Sequence, residues 1–226
     1  MTCRASYTPG MNVDTLLKSL LENGWVVTQG SLDELERALH AHGMQRARTQ
    51  RGSARQTLRP VSTADAAPNT MSAKYGLGAQ PLHTDGAHLR VPPDVVVLHS
   101  PKENDTSTRV WASRRRANSV SWRLGRSEAA RAGLFTVRNG RDSFLAPAAT
   151  WERLRVDPTC MSPADGYARE AALAFQQVDA VEVNWEHPDQ ILLIDNRNSL
   201  HARSAVTSGD SDRVLDRRTF NWGENS

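Results

Sequence analysis

From residue 81 onward, the sequence is a series of short apolar segments separated by turn residues, and this pattern limits the folds open to the chain. Val95–Leu98 follows two prolines, and Ile191–Ile194 forms a second continuous apolar run. Short apolar runs between turns are typical of buried β-strands. Further strands are predicted at 108–111, 181–185 and 214–222. So many short strands favour a β-sandwich or a β-barrel.

Helices are predicted at the start of the chain and once more near its end. Residues 12–23 place leucines at helical spacing, and Gly24 is a natural helix stop. A second helix begins at Ser31, where Glu34 completes a capping box. Residues 164–178 form a third amphipathic segment. The predicted fold class is therefore α+β, with a mainly β core flanked by helices.

The interval 45–69 has no hydrophobic periodicity and is rich in Arg, Ser, Thr, Ala, Gln and Pro. An irregular stretch of this length inside a compact domain is usually a functional lid or a disordered segment. The sequence does not choose between the two, and we predict a mobile or lid loop. A length of 226 residues suits one domain that spans residues 1–226.

The basic residues are scattered and nearly balanced by acidic ones, which leaves a net charge of +3. One cluster stands out at Arg114–Arg116, with Arg123 and Arg126 close behind. Nucleic-acid binders usually combine a basic stripe with stacking aromatics, whereas aromatic residues are only 6% of this chain. A nucleic-acid partner is therefore not expected. The basic cluster predicts a solvated surface, with an acidic carrier protein as the alternative partner.

Membrane insertion and secretion are not expected either. No run approaches the roughly 20 apolar residues of a membrane-spanning helix, and the N-terminus lacks the apolar segment of a secretory signal. The two cysteines, Cys3 and Cys160, are too few for a disulfide framework. These features predict a soluble, cytoplasmic protein.

His83 and Asp85 are the first candidate functional residues. In an extended segment, residues two apart point the same way, so both side chains could face one metal ion. His201, directly after a predicted buried strand, offers a third ligand. Two histidines and one carboxylate form the facial triad that suits non-haem iron(II) and leaves positions open for a cosubstrate and dioxygen. The alternatives are a simple turn at Asp85 and a structural histidine at position 201.

Arg213 follows His201 in a segment that alternates like a strand. Arg213, Leu215, Arg217 and Thr219 are predicted to share one face of that strand, and Val214, Asp216, Arg218 and Phe220 the other. Arginines on an inward face need anions to offset their burial. A guanidinium can grip a carboxylate through two parallel hydrogen bonds, as a metal-chelating dicarboxylate would require. The alternative is surface pairing with Asp212 or Asp216.

Four segments together resemble the iron(II)/2-oxoglutarate-dependent oxygenases of the taurine dioxygenase and clavaminate synthase superfamily. They are PLHTDGAHLRVPPDVVVLHS, DTSTRVWAS, ILLIDNRNSLHARS and DRVLDRRTFNW, and the resemblance covers residues 69–222. It implies a double-stranded β-helix, or jelly roll. The residues it implies are His83, Asp85 and His201 as iron ligands, Arg213 and Thr108 at the distal carboxylate of 2-oxoglutarate, Arg217 at an acid group of the substrate, and Asn69, Tyr75 and Gln80 as further substrate-binding candidates.

The resemblance also implies an activity. With iron(II), 2-oxoglutarate and dioxygen, such an enzyme would hydroxylate a C–H bond of a small amino-acid-like or carboxylate-bearing natural-product substrate, with succinate and CO2 as coproducts. Several alternatives stay open. They are an oxygenase of the same cosubstrate class acting on nucleic acid or on a carrier- or protein-bound substrate, a non-catalytic jelly-roll ligand-binding protein, and a zinc hydrolase with the same ligand types.

Overall fold

A computed structural model describes residues 12–47, 55–113, 124, 127–140 and 142–223. In chain order the described elements are α1 (Val13–Asn23), β1 (Trp25–Gln29), α2 (Leu32–Ala41), β2 (Gln45–Arg46), β3 (Arg55–Leu58), α3 (Met71–Tyr75), β4 (Val95–Ser100), β5 (Asn104–Ala112), α4 (Glu128–Ala132), β6 (Leu134–Asn139), β7 (Asp142–Pro147), β8 (Met161–Pro163), α5 (Gly166–Gln176), β9 (Val181–Trp185), β10 (Gln190–Asp195), β11 (Ser199–Arg203) and β12 (Leu215–Asn221).

The described strands form three antiparallel sheets. The largest has the order β1-β10-β4-β12-β2, with β3 also paired to β12. A smaller sheet has the order β11-β5-β9, and the third has the order β7-β6-β8. The mainly β core with few helices that the sequence predicts is confirmed.

The largest sheet and the β11-β5-β9 sheet pack face to face. Every residue of β4 and β10 is buried, as expected for the two most apolar segments of the chain. The shared core contains Trp25, Val96, Leu98, Leu192, Ile194 and Leu215 from the larger sheet and Val110, Val183 and Trp185 from the smaller one. Removal of this apolar surface from water is the main force that holds the two sheets together.

Helices α1 and α2 cover the outer face of the largest sheet. Leu16, Leu20 and Leu39 pack there in one cluster with residues of β4, β10 and β12. Helix α1 ends at Gly24, whose φ of 82° lies in the left-handed region. A Cβ at this position would come within 2.6 Å of the Ala112 side chain, so only glycine fits between helix and strand. The predicted helix stop is confirmed.

Strand β12 has the two faces that the sequence predicts, but it begins later. Leu215 packs into the core between the sheets, whereas Phe220 packs under α1 and α2. Arg213 precedes the first strand residue, so the prediction that it belongs to the strand is wrong. A turn at residues 208–212 comes before it, and the backbone N–H of Arg213 donates to the Asp210 carbonyl at 3.1 Å.

The interval 45–69 contains regular structure that its composition does not predict. Strands β2 and β3 both pair with β12, which places Arg46 opposite Phe220 and Gln56 opposite Arg217. These strands form because β12 offers an unpaired edge. Since β12 is distant from them in the sequence, their own composition does not predict them. Residues 48–54 lie outside the described residues, and a lid in this interval stays a prediction.

Three other sequence predictions concern membrane-spanning helices, the two cysteines and the basic cluster. Within the described residues, no helix combines the length and the apolar character needed to cross a bilayer. Cys160 is a free cysteine, and Cys3 lies outside the described residues. The basic cluster at Arg114–Arg116, Arg123 and Arg126 also lies outside them.

Glu36 on α2 joins the helical layer to the strands of the interval 45–69. Its side chain is only 3% exposed, and it accepts hydrogen bonds from Arg46 Nε and, at 2.6 Å, from Arg55 Nη2. Arg218 Nε lies 3.4 Å from the same carboxylate. Burial raises the pKa of Glu36, but the three arginines outweigh burial and lower it below its ordinary value of 4.5.

Glu36→Gln should lower the free energy of unfolding by roughly 1–3 kcal/mol at neutral pH, because charge-assisted hydrogen bonds are lost. Since the pKa of Glu36 is lower in the folded state, its stabilisation is present above about pH 4.5 and is lost as the pH falls through the folded-state pKa. Urea denaturation of both proteins from pH 7 to pH 3.5 measures this difference. The exposed Glu34→Gln is the matched control, and a pH-independent difference would contradict the assignment.

Candidate active site

The two predicted histidine ligands are brought together by a short antiparallel bridge. The backbone N–H of His83 donates to the His201 carbonyl at 3.0 Å, and the N–H of His201 donates back to His83 at 3.0 Å. Their ring centroids are 4.6 Å apart. His201 lies on β11 between this bridge and its partner in β5, Val110. Two segments far apart in the sequence thus place both imidazoles at one point.

The surroundings of the two imidazole rings bear on how each could bind a metal ion. His83 Nδ1 lies 3.1 Å from the Pro81 carbonyl, which can only accept, so Nδ1 carries the proton and Nε2 is the free ligand atom. Burial, and then the nearby His83, lower the pKa of His201 to about 3, so its ring is neutral at physiological pH. His201 Nδ1 is buried and has no hydrogen-bond partner. Neutral imidazoles are the form that coordinates metal ions.

Asn196 fixes the backbone of Asp85. Its side chain accepts the Asp85 N–H at 2.9 Å and donates to the carbonyls of Asp85 at 3.0 Å and of Pro93 at 2.8 Å. Asn196 directly follows β10 and is buried, so a rigid strand end supports the turn that carries Asp85. Sequence reasoning missed this residue, although a polar residue just after a buried strand was a usable signal.

The Asp85 carboxylate is bound to Arg217. Arg217 Nη1 donates to Asp85 Oδ1 at 2.6 Å, and Nη2 donates to Gln56 Oε1. Burial raises the pKa of Asp85, but the charge of Arg217, with smaller contributions from His201, His83 and His88, lowers it overall. The carboxylate is therefore ionised, and Arg217 binds only one of its two oxygens, Oδ1.

In the part of the chain that the structure describes, no three His, Cys, Asp or Glu side chains are arranged so that together they could hold a metal ion. The two imidazoles meet, whereas the Asp85 carboxylate is held by Arg217. The donor set nevertheless fits iron(II) in kind, because it offers two imidazoles and one ionised carboxylate. The three-ligand centre remains a prediction.

Arg213 is a buried guanidinium with unmet hydrogen-bonding capacity. Its Nε and Nη2 are both buried without a partner. Burial and the nearby Arg203 lower its pKa to about 10, with Asp210 acting in the opposite direction. Buried donors of this kind are rarely left unpaired in proteins, and a carboxylate is their natural partner. The arrangement therefore suits one end of a bound dicarboxylate.

Thr108 lies on β5 with its hydroxyl hydrogen available. Trp185 Nε1 donates to Thr108 Oγ1 at 3.2 Å, so the threonine accepts one bond and can still donate another. On the same strand, Thr106 Oγ1 donates to Asp210 Oδ2 at 2.5 Å. This bond ties β5 to the turn that carries Arg213. Sequence reasoning did not identify Trp185 or Asp210.

The other substrate-binding candidates, Asn69, Tyr75 and Gln80, are less closely connected to the histidines. Asn69 is exposed with a φ of 60°, and the half-buried Tyr75 has Lys74 Nζ 5.5 Å from its ring centroid. The Gln80 backbone N–H donates to the Arg203 carbonyl at 2.9 Å. Among the described residues, no hydrogen bond, ion pair or ring contact of these three reaches a predicted iron ligand. Their assignment stays a prediction.

Two further residues near Asp85 had no clear sequence signal. The buried Arg155 donates to the carbonyls of Ala87, of Leu89 at 2.6 Å and of Arg90 at 2.9 Å, and so fixes the loop after Asp85. His88, on that loop, is half-buried, and burial lowers its pKa. A single arginine in an irregular segment carries no pattern that predicts such contacts.

Comparison with solved structures shows which proteins share this fold. An asparagine oxygenase, solved with Fe(II), (2S,3S)-3-hydroxyasparagine and succinate, matches at a TM-score of 0.68 and 20% identity over 92% of this chain and 78% of its own. The non-haem iron oxygenase OrfP, solved with Fe, succinate and (3S)-hydroxy-L-arginine, matches at 0.65 and 18% identity over 92% and 78%.

PvcB from Pseudomonas aeruginosa matches at a TM-score of 0.62 and 18% identity over 93% of this chain and 80% of its own. A second structure of PvcB describes it as an Fe, α-ketoglutarate-dependent oxygenase from an isonitrile synthetic pathway. No protein-family model and no curated protein matches this sequence. The chain therefore has the fold of iron- and 2-oxoglutarate-dependent oxygenases, and this likeness establishes the fold alone.

Asn196→Ala should lower the affinity for Fe(II) by about tenfold or more, because it frees the backbone of a predicted ligand. The matched control is Asn198→Ala, which removes a buried amide that donates to Asp195 Oδ2 at 2.8 Å. Anaerobic titration with Fe(II) against a colorimetric chelator measures both. Equal losses of Fe(II) affinity in the two variants would show that Asn196 has no specific connection to the metal.

Proposed function

We propose that this protein is a non-haem iron(II)- and 2-oxoglutarate-dependent oxygenase that hydroxylates a C–H bond of a small amino-acid-like or carboxylate-bearing substrate. Succinate and CO2 would be the coproducts. The observation that carries the proposal is Arg213, a buried guanidinium with two unpaired donors. In a chain with this fold, the simplest occupant for that guanidinium is the distal carboxylate of 2-oxoglutarate.

The two facing sheets support the finer fold assignment. A core filled from both sheets, with antiparallel pairing throughout, is what a double-stranded β-helix requires. The similarity to three solved oxygenases agrees with this assignment. We therefore propose a jelly roll flanked by helices, forming a single oxygenase domain over residues 1–226.

The protein's own part in the reaction is to bind and orient. His83, His201 and Asp85 Oδ2 would hold iron(II), while Arg213 and the free hydroxyl hydrogen of Thr108 would bind the distal carboxylate of 2-oxoglutarate. When bound, iron(II) and 2-oxoglutarate supply the activation of dioxygen. The bridge between the histidines keeps their relative position fixed.

The substrate is proposed to be an amino acid or a derivative that carries an acid group. Arg217 is the residue that would bind this group, because its guanidinium already reaches the predicted iron ligand Asp85. The solved structures of the asparagine oxygenase and of OrfP contain hydroxylated amino acids. A carrier-bound form of such a substrate would use the basic cluster at 114–126 to bind the acidic carrier protein.

The free Cys160 fits a cytoplasmic location.

Anaerobic addition of Fe(II) and 2-oxoglutarate should give the weak visible charge-transfer band of the metal-bound keto acid. Arg213→Met should raise the 2-oxoglutarate concentration that gives half of the maximal intensity of this band by about tenfold or more. The reason is that a charge-assisted pair with the carboxylate is lost. The exposed Arg138→Met is the control. Absence of the band in a protein that retains zinc through purification would favour a hydrolase instead.

Screening amino acids and their derivatives for succinate production should identify the substrate. Arg217→Ala should then raise the apparent Michaelis constant for that substrate while leaving the value for 2-oxoglutarate nearly intact, and Arg213→Ala should show the opposite pattern. Steady-state kinetics with each compound varied in turn measures both constants. An equal rise in both constants for Arg217→Ala would remove it from the substrate site.

A further inference from the structure

The guanidinium of Arg217 is held at both of its terminal nitrogens by acceptors from different parts of the chain. Nη1 donates to Asp85 Oδ1 at 2.6 Å, and Nη2 donates to the amide oxygen of Gln56. Gln56 lies directly opposite Arg217 in the pairing of β3 with β12. Two fixed acceptors determine the plane of the guanidinium and the direction of its remaining donors.

Gln56 is the residue of its strand that faces the site. On β3, Gln56 shares a face with Leu58, which packs against the core between the sheets. Arg55 and Thr57 point to the opposite face, where Thr57 Oγ1 donates to an Asp216 oxygen at 2.9 Å. A change at position 56 therefore alters the surroundings of Arg217, whereas a change at position 57 alters the same strand pair without touching Arg217.

We propose that Gln56 is a positioning and specificity-determining residue, which decides how Arg217 is shared between Asp85 and the acid group of the substrate. This inference rests on the proposed function, in which Arg217 binds that acid group. A guanidinium has five N–H donors. Asp85 and Gln56 each accept one of them, and the substrate must use donors whose direction these two bonds have set.

The neutrality of Gln56 is as important as its hydrogen bond. The charges of Arg217 and Asp85 offset each other, and the amide adds none, so an incoming carboxylate is not repelled by position 56. A carboxylate at that position would place a second anion on the guanidinium. It would compete with the acid group of the substrate and repel it at the same time.

The test compares Gln56→Glu and Gln56→Met with Thr57→Val as the matched control, in the full chain with Fe(II) and 2-oxoglutarate under anaerobic conditions. The probes are L-arginine, L-asparagine and their decarboxylated analogues agmatine and 3-aminopropanamide, and binding is followed through the visible band. Gln56→Glu should weaken binding of the amino acids by about tenfold or more. Its affinities for the two analogues and for 2-oxoglutarate should change by less than about twofold. Gln56→Met should lose less affinity for the amino acids than Gln56→Glu, and Thr57→Val should lose none.

Equal losses for an amino acid and its decarboxylated analogue, or the same losses in Thr57→Val, would overturn the proposal. If no probe binds the unmodified protein, the amino-acid assignment of the proposed function fails. In that case ¹⁵N NMR of the guanidinium groups tests whether Gln56 positions Arg217. Arg217, assigned by its loss in Arg217→Lys, should show separate Nη signals in the unmodified protein and in Thr57→Val, and averaged signals in Gln56→Met. Averaged signals in the unmodified protein, or unchanged ones in Gln56→Met, would overturn it.

Discussion

Two backbone hydrogen bonds between His83 and His201 are the contact on which the candidate site depends. They attach the segment that contains Asp85 to β11, whose other edge is paired with β5 of a fully packed sheet. The position of one imidazole therefore fixes that of the other. Asn196 and Arg155 extend the same principle, because each uses several hydrogen bonds to hold the irregular backbone on either side of the turn.

Three arginines of the candidate site differ in how their donors are satisfied. Arg155 is satisfied by backbone carbonyls, and Arg217 by a carboxylate and an amide. Arg213 alone among the three has two buried donors without partners. Burial of an unpaired guanidinium is costly, and a bound anion would offset that cost. This contrast supports the proposal that Arg213 holds the cosubstrate, whereas Arg217 would bind a substrate in addition to the two partners it already has.

The strands of the core could be predicted because they depend on local patterns. The meeting of His83 and His201 was predicted from their ligand chemistry and from the family resemblance, because the two residues are far apart in the sequence. The apolar runs at β4 and β10 identify the buried sheet, and alternation along β12 identifies its inner face. In contrast, β2 and β3 exist only through pairing with β12, and Arg155 and Asn196 act through contacts with distant backbone. The role of Arg217 at an acid group of the substrate stays a prediction, and its partners Asp85 and Gln56 come from separate segments that only the fold brings together.

We propose that His83, His201 and one oxygen of Asp85 share an iron ion, with the far end of 2-oxoglutarate at Arg213. The decisive measurement is a crystal structure of the protein grown anaerobically with Fe(II) and 2-oxoglutarate. We expect metal density between the two imidazoles and Asp85 Oδ2, and a carboxylate on Arg213 Nε and Nη2. A metal bound elsewhere, or a keto acid that does not reach Arg213, would contradict it.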